Sequence, residues 1–376
     1  MTQPAVILPP SPPQSYAQTP EPRVPARPAL ARWGGWVVAA KLGITLLTLG
    51  LLWHSLVDNE ATAAAWRGLL ARSLGGQGRG PVLLALLLVP LNWGLEAWKW
   101  WRLARHLEPV SFRRSFRAVL VGLTLGFVTP NRVGDYAGRI MELKSRRLDA
   151  LGAVFLGRYC QLVATVMAGT LGLLYFGLRF YLNGYPAAQI GLVVLTLVIN
   201  LAVLLPLYHS ELLVAAVQAI KPLRRFARYL AVMPTYPARL LTDVLLISGL
   251  RYLVFGAQFG LLLLAYGVQT AVGPAAAAVA GTFLLKSLVP SLNALADVGV
   301  RELSATHLFG LLGQPALPVL SASLSLWVLN IAVPSAVGLI FVLRLKVLRK
   351  RQAATATRAA PISVAAPATA EVTPTA

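Results

Sequence analysis

The sequence predicts an all-α, polytopic integral membrane protein with about six transmembrane helices and two re-entrant helical hairpins arranged as an inverted repeat. Three observations predict it. Of 376 residues, 57% are hydrophobic and only 12% are charged, an apolar fraction that a water-soluble domain does not hide. Apolar runs recur at lengths near the roughly 20 helical residues that cross a hydrocarbon core of about 30 Å. The net charge of +21 gathers beside those runs, the positive-inside pattern with some attraction for anionic lipid, so nucleic acid is not the expected partner.

Taken in order, residues 1–32 form a tail. Nine prolines fall among the first 28 residues, and the segment lacks the short apolar core and cleavage site of a secretory signal. The first span, near 33–53, is therefore expected to be retained. Further spans are predicted near 81–103, 150–178, 187–208, 242–267 and 317–343, which makes 33–345 one transmembrane domain. Residues 346–376 are basic and then low-complexity, too poor in apolar side chains to bury a core. No appended catalytic domain, and no enzyme activity, is expected.

Cofactor and metal chemistry have no support in the sequence. Cys160 is the single cysteine and lies within a span, so it forms no internal disulfide, and the four histidines have no ligand spacing. No phosphate-binding Gly-rich loop, nucleophile elbow or zinc-protease motif occurs, so ATP bound to this chain is not expected to drive anything.

Loop charge sets the topology. The N-terminus is cytoplasmic, the 54–80 loop is outside, and the Arg-rich 99–117 segment is back inside, as is the next basic cluster, Lys144 to Arg147. Between these two inside clusters the apolar stretch is only about 13 residues, too short to cross. It should enter and turn back as hairpin one, about 112–143, with its apex near Pro130. The second half repeats this with the opposite hand. Segment 274–312 leaves and returns to the outside as hairpin two, with its halves meeting near Pro290 to Ala296, and the C-terminus is cytoplasmic. Segment 274–292 is nearly long enough to span, and extra crossings there are the alternative.

The two apices share a charge pattern. Pro130 is followed by "NRVGDYAGR" and Pro290 by "SLNALADVGVRE", each a helix breaker followed by Asp-x-x-x-Arg: Asp135 with Arg139, and Asp297 with Arg301. At i,i+4 spacing such side chains share a helical face and can pair. Arg132, Asp135, Arg139 and Glu142 project within about 80° of one another at 100° per residue, and Glu302 follows Arg301 directly. Similar elements of opposite orientation are the sequence trace of an inverted repeat with a midplane site.

Charges in hydrocarbon cost about 2.5–3.5 kcal/mol each on insertion scales. A self-neutralising network that glues the hairpins together is one reading; a substrate site is the other. Number favours the site: Arg132, Arg139, Arg158, Arg251, Lys286 and Arg301 stand against Asp135, Glu142, Asp297 and Glu302, six basic to four acidic. Helices restarting after Pro130 and near Ala296 would also aim free N–H groups at an anion. Arg132 would add a bidentate phosphate donor, and Lys286 either a facing partner or a pair with Asp297. Trp93, Trp98, Trp100 and Trp101 read as an interfacial aromatic belt, with Glu96 and Lys99 pairing at the same boundary. The stretch from Glu211 to Leu230 reads as one amphipathic interfacial helix.

The stretches "TPNRVGDYAGR", "LGRYCQLVATVMAGTLGL" and "VPSLNALADVGVREL" resemble the flippase-like membrane family that includes the transmembrane region of lysylphosphatidylglycerol synthases, over about residues 35–345. The family's first motif is met by Thr129, Pro130, Arg132, Gly134 and Asp135, its following arginine by Arg158, and its second motif by Pro290, Gly299, Arg301 and Glu302. The family's paired glycines are missing, with Leu295 and Ala296 near that place. The resemblance implies movement of anionic phospholipids, aminoacylated phospholipids or polyprenyl-linked lipids between leaflets of a bacterial plasma membrane, without the synthase activity of the separate soluble domain. The expected substrate-binding residues are Arg132, Asp135, Arg139, Glu142, Arg158, Lys286, Asp297, Arg301 and Glu302, with Pro130, Gly134, Pro290 and Gly299 as hinges. A non-transporting partner of a glycosyltransferase or lipid-modifying enzyme, and an intramembrane lipid-phosphate transferase, are the alternatives.

Overall fold

The computed structural model describes residues 60–129, 132–141, 143, 147–221, 224, 227–230, 232–288 and 296–343. The expected first span at 33–53, both tails, Pro130, Glu142, Pro290 and the side chain of Asp297 lie outside the described residues. Among the described residues there is no strand. The helices are α1 (Glu60–Leu74), α2 (Arg79–Leu107), α3 (Phe112–Val128), α4 (Val133–Ile140), α5 (Arg147–Phe176), α6 (Pro186–Tyr208), α7 (Ser210–Ala219), α8 (Ala238–Ala265), α9 (Val272–Leu288), α10 (Ala296–Leu311) and α11 (Ala316–Trp327). Helix α11 continues through a π-helical turn, Val328–Ala332, to Leu343.

Among the described residues, five segments are long and apolar enough to cross a membrane: Gly76–Leu107, Asp149–Tyr181, Pro186–Tyr208, Ala238–Ala265 and Ala316–Leu343. They coincide with five of the spans expected from the sequence. Leu195, Leu197, Val198 and Leu201 of α6 are all exposed. In water that would be a liability, and in hydrocarbon it is the expected outer face of a helix.

The stretch expected as a single interfacial helix from Glu211 is instead broken. Helix α7 stops at Ala219 and a separate turn of helix, Ala227–Leu230, follows. Pro222 explains the break, since proline lacks the N–H a continuing helix needs and disfavours helical backbone in the residue before it.

Helices α2 and α8 run antiparallel along their whole length. Arg102 pairs with Asp243 at one end, and at the other an added Cβ on Gly78 would stand 2.9 Å from the carbonyl of Ala265. The first of these we call the basic end. There Val110, Met233, Tyr236 and Leu241 pack with Trp100 and Leu103 in one core cluster. A second cluster, with Phe176, Phe259, Tyr266, Phe283, Phe309 and Leu326, fills the far end.

Two helical hairpins enter from these opposite ends. The first, α3 and α4, starts at the basic end, where Phe112 packs on Trp101. The second, α9 and α10, starts at the far end, where the backbone N–H of Gln269 donates to Gln314 Oε1 at 3.1 Å. Helix α9, at 17 residues, is shorter than the five candidate spans.

Glycines set how closely the first hairpin closes. A Cβ on Gly134 would lie 2.2 Å from the Leu125 carbonyl oxygen, and one on Gly138 would lie 2.4 Å from the Gly122 nitrogen. Gly134 thus permits close approach of the two arms. Gly299 is exposed inside α10, with no neighbour among the described residues near its missing Cβ.

Candidate functional site

The turn of hairpin one is built by Thr129. Its hydroxyl donates to the Leu125 carbonyl at 2.7 Å and accepts the Gly134 N–H at 2.8 Å, so one side chain ends α3 and satisfies an orphan amide at the start of α4. Arg132 precedes α4 in the left-handed region, with φ of 53°. It therefore stands just before the helix and outside helical geometry, although its Cβ and that of Asp135 both flank Gly126 of α3.

Asp135 and Arg139 point from α4 into the bundle and are buried. Arg139 Nε donates to Asp135 Oδ1 at 3.1 Å, the i,i+4 pair expected from the spacing, and Arg158 of α5 donates to Asp135 Oδ2. The second guanidinium arm of Arg139 reaches Glu96 Oε1 on α2 at 2.7 Å. Glu96 is the hub that the sequence reading misplaced. Its other oxygen lies 2.7 Å from Lys99 Nζ and 3.3 Å from Arg251 Nε of α8.

Glu96 and Lys99 do pair, but in the interior: Lys99 is 2% exposed. The aromatic belt is likewise corrected. Trp100 is core, Trp93 is buried beneath the Arg251 guanidinium at 5.6 Å, and only Trp98, 43% exposed, faces clearly outward. The cause is the same in each case. Helix α2 is packed on both α8 and hairpin one, so side chains expected at the membrane boundary are enclosed by neighbouring helices.

Gln161 of α5 completes this side. Its Oε1 accepts from Arg251 Nη1 at 3.1 Å and from Lys99 Nζ at 3.4 Å, while its amide donates to the Ser248 carbonyl at 3.3 Å. From hairpin two, Arg301 Nε donates to Glu302 Oε1 at 3.1 Å and to Ser323 Oγ at 2.8 Å, and Ser323 donates to the same carboxylate at 2.9 Å. Arg301 was expected to pair with Asp297, whose side chain is outside the described residues.

These groups surround a cavity of about 290 Å³ between the two core clusters. Its wall holds Arg132, Asp135, Arg139, Arg158, Lys286 and Arg301 from the expected set, and adds Asn92, Trp93, Glu96, Lys99, Gln161, Arg251 and Asn330. Glu302 stands behind Arg301. Its depth is central, since Arg251 is the fourteenth of the 28 residues of α8 and Asn330 the fifteenth of the 28 in Ala316–Leu343.

Asn330 sits in the π-helical turn, where it accepts from Asn92 Nδ2 at 2.6 Å. Such turns inside long helices are frequent at functional sites. The signal that could have found Asn92, Glu96, Lys99, Gln161 and Asn330 is polarity inside apolar runs, in "VPLNWGLEAWKWW", "RYCQLVA" and "LWVLNIAVPS", and by the same signal Arg251 already counts among the six basic residues at membrane depth.

Residues 38–338 match the description "Lysylphosphatidylglycerol synthase TM region". The chain belongs to that family. No curated protein and no solved structure matches it. Membership in the lysylphosphatidylglycerol synthase TM region family covers both hairpins and every helix from α1 to α11, so the chain is a multi-pass membrane protein of a lipid-related family. Among the described residues no group of His, Cys, Asp and Glu could hold a metal ion.

Proposed function

We propose that this protein is a lipid translocase, which moves an anionic phospholipid or a polyprenyl-phosphate-linked lipid between the leaflets of a bacterial plasma membrane without chemical change. One observation carries the reading: a polar cavity and an apolar one share Tyr252. The second, of about 330 Å³, lies between α8 and α9 and is lined by Leu253, Gly256, Gly260, Val272, Ala276 and Val279. Leu253 and Val272 are 67% and 85% exposed, so this groove faces the hydrocarbon side.

A charged head group in the first cavity and its chain in the second is the division that a lipid itself makes between polar and apolar parts. Arginine forks suit a phosphate, which they bind bidentately. The hairpins reach the cavity from opposite ends, an arrangement suited to rocking about a fixed midplane site.

Leaflet exchange of fluorescent anionic lipids in proteoliposomes tests this. The purified chain should accelerate exchange, and Arg139→Gln should lose most of that acceleration while still eluting as a single species. Exchange no faster than in empty vesicles, or an Arg139→Gln variant as active as its parent, overturns translocation. Recovery of a covalently altered lipid would replace it with an enzyme, and a stoichiometric co-purifying transferase would replace it with a partner role.

A further inference from the structure

The cavity is more positive than the acids around it can balance. We propose that it selects lipid head groups bearing two or more negative charges, phosphomonoesters or diphosphates, over singly charged phosphodiesters and over cationic aminoacylated head groups. The proposal rests on the cavity being the head-group site of the translocase reading and names its substrate class.

Among the described residues seven basic side chains line the cavity, counting Lys99 and Arg251 with Arg132, Arg139, Arg158, Lys286 and Arg301. Against them stand Glu96 and Asp135 in the wall and Glu302 behind it. Granting Glu142 and Asp297 as partners too brings the acids to five, so two positive charges stay uncompensated even when every hairpin acid is spent on neutralisation. Burying a charge without a counterion is costly, and the cost rises with each like charge held nearby. A dianion removes both charges. A monoanion leaves one, and a head group of net positive charge adds to them.

Hydrogen bonding points the same way by independent means. In the cavity wall, among the described residues, the indole N–H of Trp93 and the Nε–H groups of Arg158 and Arg251 have no hydrogen-bond acceptor, three donors against the one unpaired amide oxygen of Asn92; Arg251 Nε lies 3.3 Å from Glu96 Oε2 as an ion pair. Buried donors seek acceptors. A phosphomonoester presents three terminal oxygens as strong acceptors and about two charges at neutral pH, whereas a diester has one terminal oxygen fewer and a single charge. The cavity's size, about 290 Å³, is near the lower limit of roughly 300 Å³ for small-molecule sites, which suits a compact phosphate.

The test compares dioleoyl lipids that share their acyl chains and differ in head-group charge and size, added to the purified full-length chain in detergent. Phosphatidic acid carries the dianion, phosphatidylglycerol the monoanion, and its lysyl ester a net positive charge; farnesyl diphosphate tests whether an isoprenyl chain serves as well as an acyl one. Binding is read by displacement of a fluorescent phosphatidic acid. Phosphatidic acid and farnesyl diphosphate should compete at least tenfold better than phosphatidylglycerol, and the lysyl ester should compete least.

Arg251→Gln removes one surplus charge and should cut the preference for phosphatidic acid over phosphatidylglycerol several-fold; Lys99→Gln serves if that variant does not fold. Equal competition by the three glycerolipids, or strongest competition by the lysyl ester, overturns the proposal. Leaflet exchange is read separately. A chain that binds the dianion selectively yet exchanges nothing refutes translocation and leaves this selectivity standing; one that exchanges phosphatidylglycerol and phosphatidic acid alike does the reverse.

Discussion

Glu96 illustrates how much one side chain can hold. Its carboxylate meets Arg139 from hairpin one, Lys99 from its own helix and Arg251 from α8, so three elements are tied through one residue. Removing the anion leaves three buried cations facing each other, and breaking a buried ion pair from one side costs about 3–5 kcal/mol. Glu96→Gln should therefore lower the thermal unfolding midpoint in detergent sharply. Arg251→Gln removes a cation from a site that already has too many. It loses the stacking on Trp93, about 1–2 kcal/mol for a desolvated pair, and the hydrogen bond to Gln161, but Glu96 keeps Arg139 and Lys99 as counterions, so this variant should be the less destabilised of the two in the same melt. Equal destabilisation would mean that the network is held by packing and not by charge. The sequence made the Glu96–Lys99 pair legible from its i,i+3 spacing. Its burial was not legible, because that depends on which helices meet α2 far away in the chain.

Hairpin one is closed by glycines at the element scale. Gly138 of α4 stands against Gly122 of α3, Gly134 of α4 against the Leu125 carbonyl and Gly126 of α3 against Asp135, and the arms approach so closely that an added Cβ on Gly138 would meet the backbone of Gly122 at 2.4 Å. Backbone cannot swing away as a side chain can. Gly138→Ala must part the arms, and overpacking of this kind costs about 1–3 kcal/mol, with loss of the Asp135 and Arg139 placement that the cavity needs. Gly249→Ala is the contrasting case. Nothing lies within 4 Å of its missing Cβ in the interior of α8, so relief of glycine's conformational entropy should stabilise by about 0.5–1 kcal/mol. Thermal unfolding of both variants checks the pair of signs, and a neutral Gly138→Ala would show that the arms can part freely. Hairpin existence was legible from loop charge and from an apolar run too short to cross. The glycine interlock and the π-helical turn at Asn330 were not, because both are fitted to a neighbouring element whose register no local pattern gives.

For the whole molecule, the opposite entry of the two hairpins makes orientation the decisive prediction. The basic end carries Arg102, Arg105, Arg113, Arg114 and Arg117 with Arg224 and Arg239, whereas the far end has Arg67, Arg72, Arg79 and Arg179 beside its loops. Cationic loops stay on the cytoplasmic side during insertion. The basic end should therefore face the cytoplasm, so that hairpin one enters from within and hairpin two from outside. Cys160, the single cysteine, is fully buried, which makes the native chain a nearly silent background for thiol labelling. Asn183→Cys, exposed in the far-end loop, should react with a membrane-impermeant maleimide in intact cells. Ala238→Cys, exposed at the basic end, should react only after the membrane is opened. Labelling of both in intact cells, or the reverse order, would reject this orientation. The order matters for mechanism as well as topology. An anion reaching a midplane site between hairpins of opposite entry passes the basic end on one side only, so the surface that gathers it would be cytoplasmic, where Arg113, Arg114 and Arg117 can concentrate anionic lipid.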